Sequence, residues 1–241
     1  MNYKLWYLKC CKVLNSFMKK NLKTIRDLKT MTIKQAAELL RQLGIKTKAT
    51  DDSIHVIPFY QDENIYKLEK RGDQWLFLFI EYERGTGEET ILKTYQSEEE
   101  ASLYFLLFTL QSSLRYNYLY PFIKKNGSLN IDDTNFTFAD LQKALSLLPI
   151  GHVNYSFFDE PTLPYSIHLS RATQTESKVQ FIGKNNQVVS ETIELEDWIA
   201  YSVMFDYVYL LALLEETANR LGQPNKLMFL SDEEVGIFLT A

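Results

Sequence analysis

The chain has 241 residues, of which 46% are hydrophobic and 24% are charged, and its formal net charge is −5. This balance is typical of a globular protein, and nine Gly and six Pro are too few for a chain dominated by disordered linker. The length allows one large domain or two small ones.

The charge is unevenly distributed along the chain. Residues 1–31 contain eight Lys or Arg and one acid, a net of +7, so the total of −5 leaves −12 for residues 32–241. An acidic body repels nucleic-acid backbone and attracts basic protein surfaces, although surplus acid also serves simply to keep a cytosolic protein soluble. We therefore expect a basic protein partner and no nucleic acid.

The basic leader, residues 1–31, contains the two cysteines, Cys10 and Cys11. Adjacent cysteines provide neither a disulfide framework nor metal-ligand spacing, which favours a reducing cytoplasm. Lys9 and Lys12 interrupt the apolar part of the leader, so a signal peptide is not expected. Met18 and Met31 could each be a start, so the leader either lies outside the fold or docks as a basic helix on the acidic body.

One short pattern occurs twice in the chain. Residues 55–63 and 152–160 both read His-Val, five residues, then Asp-Glu, with aromatic residues between. Such self-similarity indicates an internal duplication. We predict a first α+β unit over 32–126 and a second over 127–241, with Asn126-Gly127 at the boundary.

The first unit is expected to begin with a helix over 32–43. Thr32 and Gln35 form a capping box and Gly44 follows the last apolar position. Strands are predicted at 54–60, 65–69, 74–82 and 90–95. A second capping box, Ser97 with Glu100, starts a helix that runs to about residue 120 and is apolar almost all round, as in a buried central helix.

The second unit repeats this order. A helix is predicted from Thr137 to Pro149, strands at 151–158, 165–171, 177–182 and 187–193, and a long apolar helix over 196–221. Ser231 and Glu234 cap a short terminal helix. The expected fold class is α+β, with two pseudo-repeats of helix, four-stranded antiparallel sheet and helix, and the two long apolar helices packed together in a shared core.

The chain contains few residues or motifs of the kinds that act in catalysis or metal binding. His55, His152 and His168 could form a metal site or acid–base pair with the nearby carboxylates, but repeated positions at strand starts favour a structural role. The body has no cysteine, no nucleophile elbow and no phosphate loop. Asp206 lies in an apolar helix, where a Tyr hydroxyl or a solvent-facing edge is the expected compensation. We expect no catalytic residue, metal or cofactor.

The repeated Asp-Glu turns are the best candidates for partner binding, because carboxylates beside aromatic residues at an exposed turn can anchor an interface. Solvated turn residues without a role are the alternative. The candidate residues are Tyr60, Asp62 and Glu63 in the first unit, and Phe158, Asp159 and Glu160 in the second.

The stretch from Gln74-Trp75 through Tyr82–Thr86 to Ser97–Ala101 and Phe105-Leu106 resembles bacterial polymorphic-toxin immunity proteins, in particular the small family numbered fifty-nine. In that family a tryptophan strand is followed by a Glu-Arg-Gly hairpin and an acidic helix start. The match covers about residues 32–112. The second unit departs from it, with no Glu-Arg-Gly hairpin and with Leu195–Trp198 in place of the acidic run. The matching turn and cap residues are Glu83, Arg84, Gly85, Ser97 and Glu100.

The resemblance implies a doubled or extended immunity protein: a cytoplasmic, non-catalytic antidote that binds a secreted antibacterial toxin and occludes its active site. The toxin is expected to present a basic surface, and no stable membrane insertion is expected, because the 14 uncharged residues from Ala101 to Leu114 are too few to span a bilayer. The alternatives are a small hydrolase that uses the histidine and carboxylate pairs, and a phage or regulatory adaptor that binds nucleic acid through the basic leader.

Overall fold

Two sheets and their surrounding helices account for most of the described residues, which are 31–58, 63–82, 87–149, 153–220 and 230–241 of a computed structural model. The fold is mixed α+β, as the sequence predicts. Two compact units divide the chain. The first contains the described residues up to Leu110 together with Arg220 and Ala241, and the second begins at Gln111 and includes the C-terminal helix.

The first unit opens with α1 (Ile33–Gln42), which has the predicted cap at each end. The Gln35 amide donates to Thr32 Oγ1 at 3.3 Å, and the Thr32 amide donates to Gln35 Oε1 at 2.8 Å. At the C-terminus Gly44 has φ +82°, and the Ile45 amide reaches back to the Leu40 carbonyl at 2.9 Å. This Schellman arrangement needs a residue tolerant of positive φ, which explains the glycine.

The first sheet is antiparallel, with five strands in chain order: β1 (Thr47–Ala49), β2 (Ser53–Val56), β3 (Ile65–Arg71), β4 (Gln74–Glu81) and β5 (Glu88–Tyr95). Leu68 and Phe77 on one face pack with Ile33, Leu40 and Phe105 from the helices. Strand β1 was not predicted, because three residues with half-exposed or exposed side chains carry no hydrophobic pattern.

A long helical stretch follows the first sheet. It consists of α2 (Glu98–Leu114), a π-helical segment (Arg115–Leu119) and α3 (Tyr120–Lys125). The boundary between the units falls inside α2, between Leu110 and Gln111, rather than at the predicted Asn126-Gly127. The polar stretch after α3 is packed into the second unit, where the Asp132 amide donates to Ser202 Oγ at 3.1 Å.

The second unit continues with α4 (Phe138–Ser146), β6 (Asn154–Phe157), β7 (Ser166–Arg171), β8 (Glu176–Ile182), β9 (Val188–Glu191) and β10 (Leu195–Glu196). The order of its sheet is β10-β8-β7-β6, and β9 also pairs with β8. Helix α5 (Asp197–Arg220) starts directly after β10, and α6 (Asp232–Thr240) has the predicted Ser231–Glu234 cap.

The prediction that this second sheet is antiparallel throughout is wrong. Strands β6 and β7 are parallel, with Ser156 opposite His168. The connecting residues 158–165 contain Pro161 and Pro164 and start and end at positive φ, at Phe158 (+52°) and Tyr165 (+53°). Prolines keep a connecting segment extended. Residues 158–165 therefore run back beside β6 to its starting end, so that β7 pairs with β6 in parallel and no hairpin forms.

The predicted duplication is not confirmed, although the two units share features. In both, a capped helix precedes the sheet, and one antiparallel pair of consecutive strands carries a register shift: β4–β5 between Phe77 and Leu78, and β8–β9 between Phe181 and Ile182. The parallel pair is the main difference.

Candidate partner-binding cleft

The second unit contains an open cleft of about 690 Å³ where β8 and β10 meet the first turn of α5. The segment that leads into α4 forms its other side. Aromatic and carboxylate side chains dominate the lining, which consists of Thr134, Phe136, Thr137, Phe138, Thr175, Glu176, Glu196, Asp197, Trp198 and Tyr201. The cleft therefore combines apolar surface with negative charge.

Asp197 is the fixed carboxylate of the cleft. Arg171 Nη1 donates to both of its oxygens, at 2.6 and 2.7 Å, and Ser177 Oγ donates to Oδ1 at 2.7 Å. Burial alone would raise the pKa of Asp197, but the hydrogen bonds from Arg171 and Ser177 outweigh it and hold that pKa below its ordinary value. The first residue of α5 is thus a paired, charged group beside the positive end of the helix dipole.

Two further carboxylates face each other across the strands. Glu176 on β8 and Glu196 on β10 are directly opposite in the antiparallel register, which places both side chains on the same face. Glu196 accepts a hydrogen bond from Trp198 Nε1 at 2.9 Å, and Glu176 accepts one from Thr173 Oγ1 at 3.1 Å. Like charges in this arrangement typically destabilise a sheet by roughly 0.2–1 kcal/mol.

An aromatic cluster extends from the cleft to the predicted turn at residues 158–160. The Phe138 ring lies 5.9 Å from Tyr201 and 5.1 Å from Phe158, measured between centroids. The guanidinium of Arg171 stands 4.4 Å above the Phe158 ring. Arg171 therefore joins the acidic cleft to the turn through one ion pair and one cation–π contact.

The turn residues in the second unit have different local roles. Phe158 is half-buried beneath Arg171, and Asp159 is exposed. The carboxylate of Glu160 accepts a hydrogen bond from the Phe157 amide at 2.9 Å, so it helps to close the turn. Asp159 is therefore the carboxylate best placed to contact a partner.

Most of the corresponding residues in the first unit lie outside the described residues: Tyr60, Asp62, Glu83, Arg84 and Gly85. Glu63 is half-buried. At the start of α2 the Glu100 amide donates to Ser97 Oγ at 3.2 Å, which is the capping contact of the predicted box.

The described histidines belong to different sheets. His55 lies on β2 of the first unit and His168 on β7 of the second, while His152 is outside the described residues. His168 Nδ1 is hydrogen-bonded to Ser156 Oγ at 2.8 Å, but the two residues are only 5% and 2% exposed. A nucleophile needs access to substrate, so this pair is better explained as a buried link between parallel strands.

The expected compensation of Asp206 is wrong: the partner is Arg115, from the π-helical segment, and not a tyrosine or solvent. Burial raises the pKa of Asp206 to about 6, and the charge of Arg115 opposes that rise. Asp206 Oδ1 has no hydrogen-bond partner among the described residues. Both side chains are partly buried, and the pair is a structural feature of the second unit.

Among the described residues there is no group of three or more His, Cys, Asp or Glu placed to hold a metal ion. One segment, Asp197–Glu216 of α5, is long and apolar enough to cross a membrane, with a mean hydropathy of 1.3, and 72% of it is buried inside the protein. Burial of this extent is what a core helix shows.

Sequence reasoning did not identify the cleft. The Leu195–Trp198 run was noted only as a departure from the acidic helix start of the first unit, and Glu176 carried no signal at all. The cleft depends on strand register, which places Glu176 opposite Glu196.

Comparison with protein-family models, curated proteins and solved structures finds no match.

Proposed function

We propose that this chain is a non-catalytic immunity protein that binds and neutralises a secreted antibacterial toxin in the cytoplasm. The observation that carries the proposal is the open cleft of the second unit, where aromatic rings lie beside three carboxylates. Aromatic side chains at the centre of an interface supply most of its binding free energy, and carboxylates select a basic partner. The resemblance of the first unit to polymorphic-toxin immunity proteins suggests that this partner is a toxin.

The charge of the body supports the same function. Residues 32–241 carry −12, which attracts a basic protein over distances of about one Debye length, ~8–10 Å at physiological salt. An antidote has to capture its toxin before damage accumulates, and electrostatic steering raises the association rate by about 10-fold to 1,000-fold.

The proposal includes the duplication. We regard the two units as divergent versions of one helix–sheet–helix element, in which the second has acquired the parallel β6–β7 pair and the cleft. The shared capping boxes at Thr32 and Thr137 and the shared register shifts in β4 and β8 support this.

The test is co-expression with the product of the adjacent toxin gene, followed by co-purification and a toxicity assay. We expect a stable complex and protected cells. Asp159→Lys combined with Trp198→Ala should weaken the complex by about 100-fold, because it reverses an exposed charge and removes an aromatic contact. Glu88→Lys, an exposed charge reversal on β5 of the first unit, is the control and should bind normally. Full toxicity despite wild-type protein would reject the proposal.

A further inference from the structure

The Glu176–Glu196 pair lacks a positively charged partner among the described residues. The amide of Asp197 donates to the carbonyl of Thr175 at 3.1 Å, so these two opposite residues form a hydrogen-bonded pair. Hydrogen-bonded and non-hydrogen-bonded pairs alternate along an antiparallel ladder, so the next pair, Glu176 and Glu196, is non-hydrogen-bonded. Side chains lie closest together in pairs of that type. The hydrogen bonds that the two carboxylates accept come from Thr173 and Trp198, which are neutral. Among the residues that the structure describes, no cation therefore offsets their mutual repulsion.

Arg171 and Lys178, the basic residues on the neighbouring strands, already form ion pairs with other carboxylates. Arg171 binds Asp197 through both carboxylate oxygens. Lys178 on β8 is paired with Glu191 and Glu194, at 4.0 and 3.7 Å. A cation that enters the cleft would thus meet two carboxylates without displacing an existing ion pair.

The chain already shows how such a cation is held. Arg171 Nη1 contacts both carboxylate oxygens of Asp197 while the guanidinium lies over the Phe158 ring at 4.4 Å. Next to it, Glu176 and Glu196 offer the carboxylates, and Trp198 and Tyr201 offer the rings. A planar guanidinium suits both contacts at once, because it can hydrogen-bond two oxygens and stack on an aromatic face.

We propose that Glu176, Glu196 and Trp198 form a subsite for one arginine side chain of a protein partner. This inference rests on the proposed function and names the group on the partner that the cleft recognises. A second Glu–Glu pair, Glu81 opposite Glu88 on β4 and β5, lies outside the cleft and serves as a comparison for the subsite.

A divalent metal ion suits the subsite less well. Calcium takes six to eight oxygen ligands and magnesium demands an octahedron, whereas the subsite supplies two carboxylates beside an indole.

The test uses the full chain and Nα-acetyl-arginine amide as the probe, followed by NMR of the indole N–H signals. The chain has three tryptophans, so a Trp198→Phe variant identifies the Trp198 signal. We expect that signal to shift saturably with the arginine probe and not with its neutral citrulline analogue. Glu176→Gln with Glu196→Gln should weaken binding by about tenfold, whereas the matched Glu81→Gln with Glu88→Gln should bind like the wild type.

Several results would overturn the subsite: equal shifts with the citrulline probe, unchanged binding by the Glu176/Glu196 variant, or displacement of the probe by Ca²⁺ beyond the effect of KCl at equal ionic strength. The free protein gives a second readout. Removing the repulsion should raise the melting temperature of the Glu176/Glu196 variant by about 1–3 °C, and a lower melting temperature would contradict the proposal.

The subsite and the proposed function can fail separately. If the arginine probe does not bind but the wild type still protects cells from the adjacent toxin, the subsite is wrong and the function stands. If the probe binds as expected but cells are not protected, the function is wrong and the subsite stands.

Discussion

Asp206 and Arg115 form a partly buried ion pair in which the pKa of the aspartate is shifted. Burial raises the pKa of Asp206 from its ordinary 3.8 to about 6, with Arg115 opposing the rise. Between these pH values the folded protein retains a proton that the unfolded chain has released. The contribution of Asp206 to stability therefore decreases as the pH rises from about 4 to about 6.

Asp206→Asn should remove this pH dependence. The free energy of unfolding of the wild type, minus that of the variant, is expected to fall by ~2–3 kcal/mol between pH 4 and pH 6.5. Asparagine keeps an oxygen that can accept from Arg115, so the fold should be retained. Urea denaturation at both pH values measures the difference. A difference that is constant or that grows with pH would contradict the assignment.

The Ser156–His168 pair gives a second test at the level of single residues. Ser156→Ala leaves His168 Nδ1 buried without its hydrogen-bond partner, and this should lower the free energy of unfolding by about 1–3 kcal/mol. Ser146→Ala, at an exposed position at the end of α4, should change it by less than about 0.5 kcal/mol. Equal effects of the two substitutions in urea denaturation would show that the buried bond contributes nothing.

At the level of elements, the two capping boxes should contribute equally to stability. Thr32→Ala and Thr137→Ala each remove the side-chain oxygen that caps α1 or α4, and each should cost about 1 kcal/mol. Thr→Ser at the same positions retains the oxygen and should cost less than half as much. Thermal and urea unfolding measure both series. If Thr→Ser lowered the free energy of unfolding as much as Thr→Ala, the stabilisation would come from packing of the threonine methyl group and not from the capping hydrogen bond.

Elements set by local signals were predictable from the sequence. The Thr32, Thr137 and Ser231 caps mark three helix starts, and Gly44 marks a helix end, because capping involves residues only a few positions apart. The apolar run of β4 likewise identified the most buried strand of the first sheet.

Features that depend on distant residues were not predictable. The parallel β6–β7 pairing, the Glu176–Glu196 register and the Asp206–Arg115 pair join positions that no local pattern relates. The unit boundary was missed for a similar reason. Asn126-Gly127 has the composition of a linker, but tertiary contacts such as Asp132 with Ser202 hold the following segment in the second unit. The candidate cleft depends on one of these non-local relations, the Glu176–Glu196 register, so only the structure reveals it.

At the scale of the whole molecule, the proposed function assigns separate roles to charge and to surface chemistry. In that proposal the acidic body attracts a basic protein at long range, and the aromatic cleft of the second unit supplies short-range contacts. The charge determines how quickly a partner arrives, whereas buried aromatic contacts mainly determine how slowly it leaves.

The central claim is that the second unit binds the partner through its acidic, aromatic cleft. Hydrogen–deuterium exchange of the full chain, alone and in complex with the toxin that the proposed function requires, tests it most directly. We predict slower exchange in the complex at residues 134–138, 158–160, 171–176 and 195–201, which form the cleft and the neighbouring turn. Slower exchange confined to the first unit, with these segments unchanged, would contradict the claim.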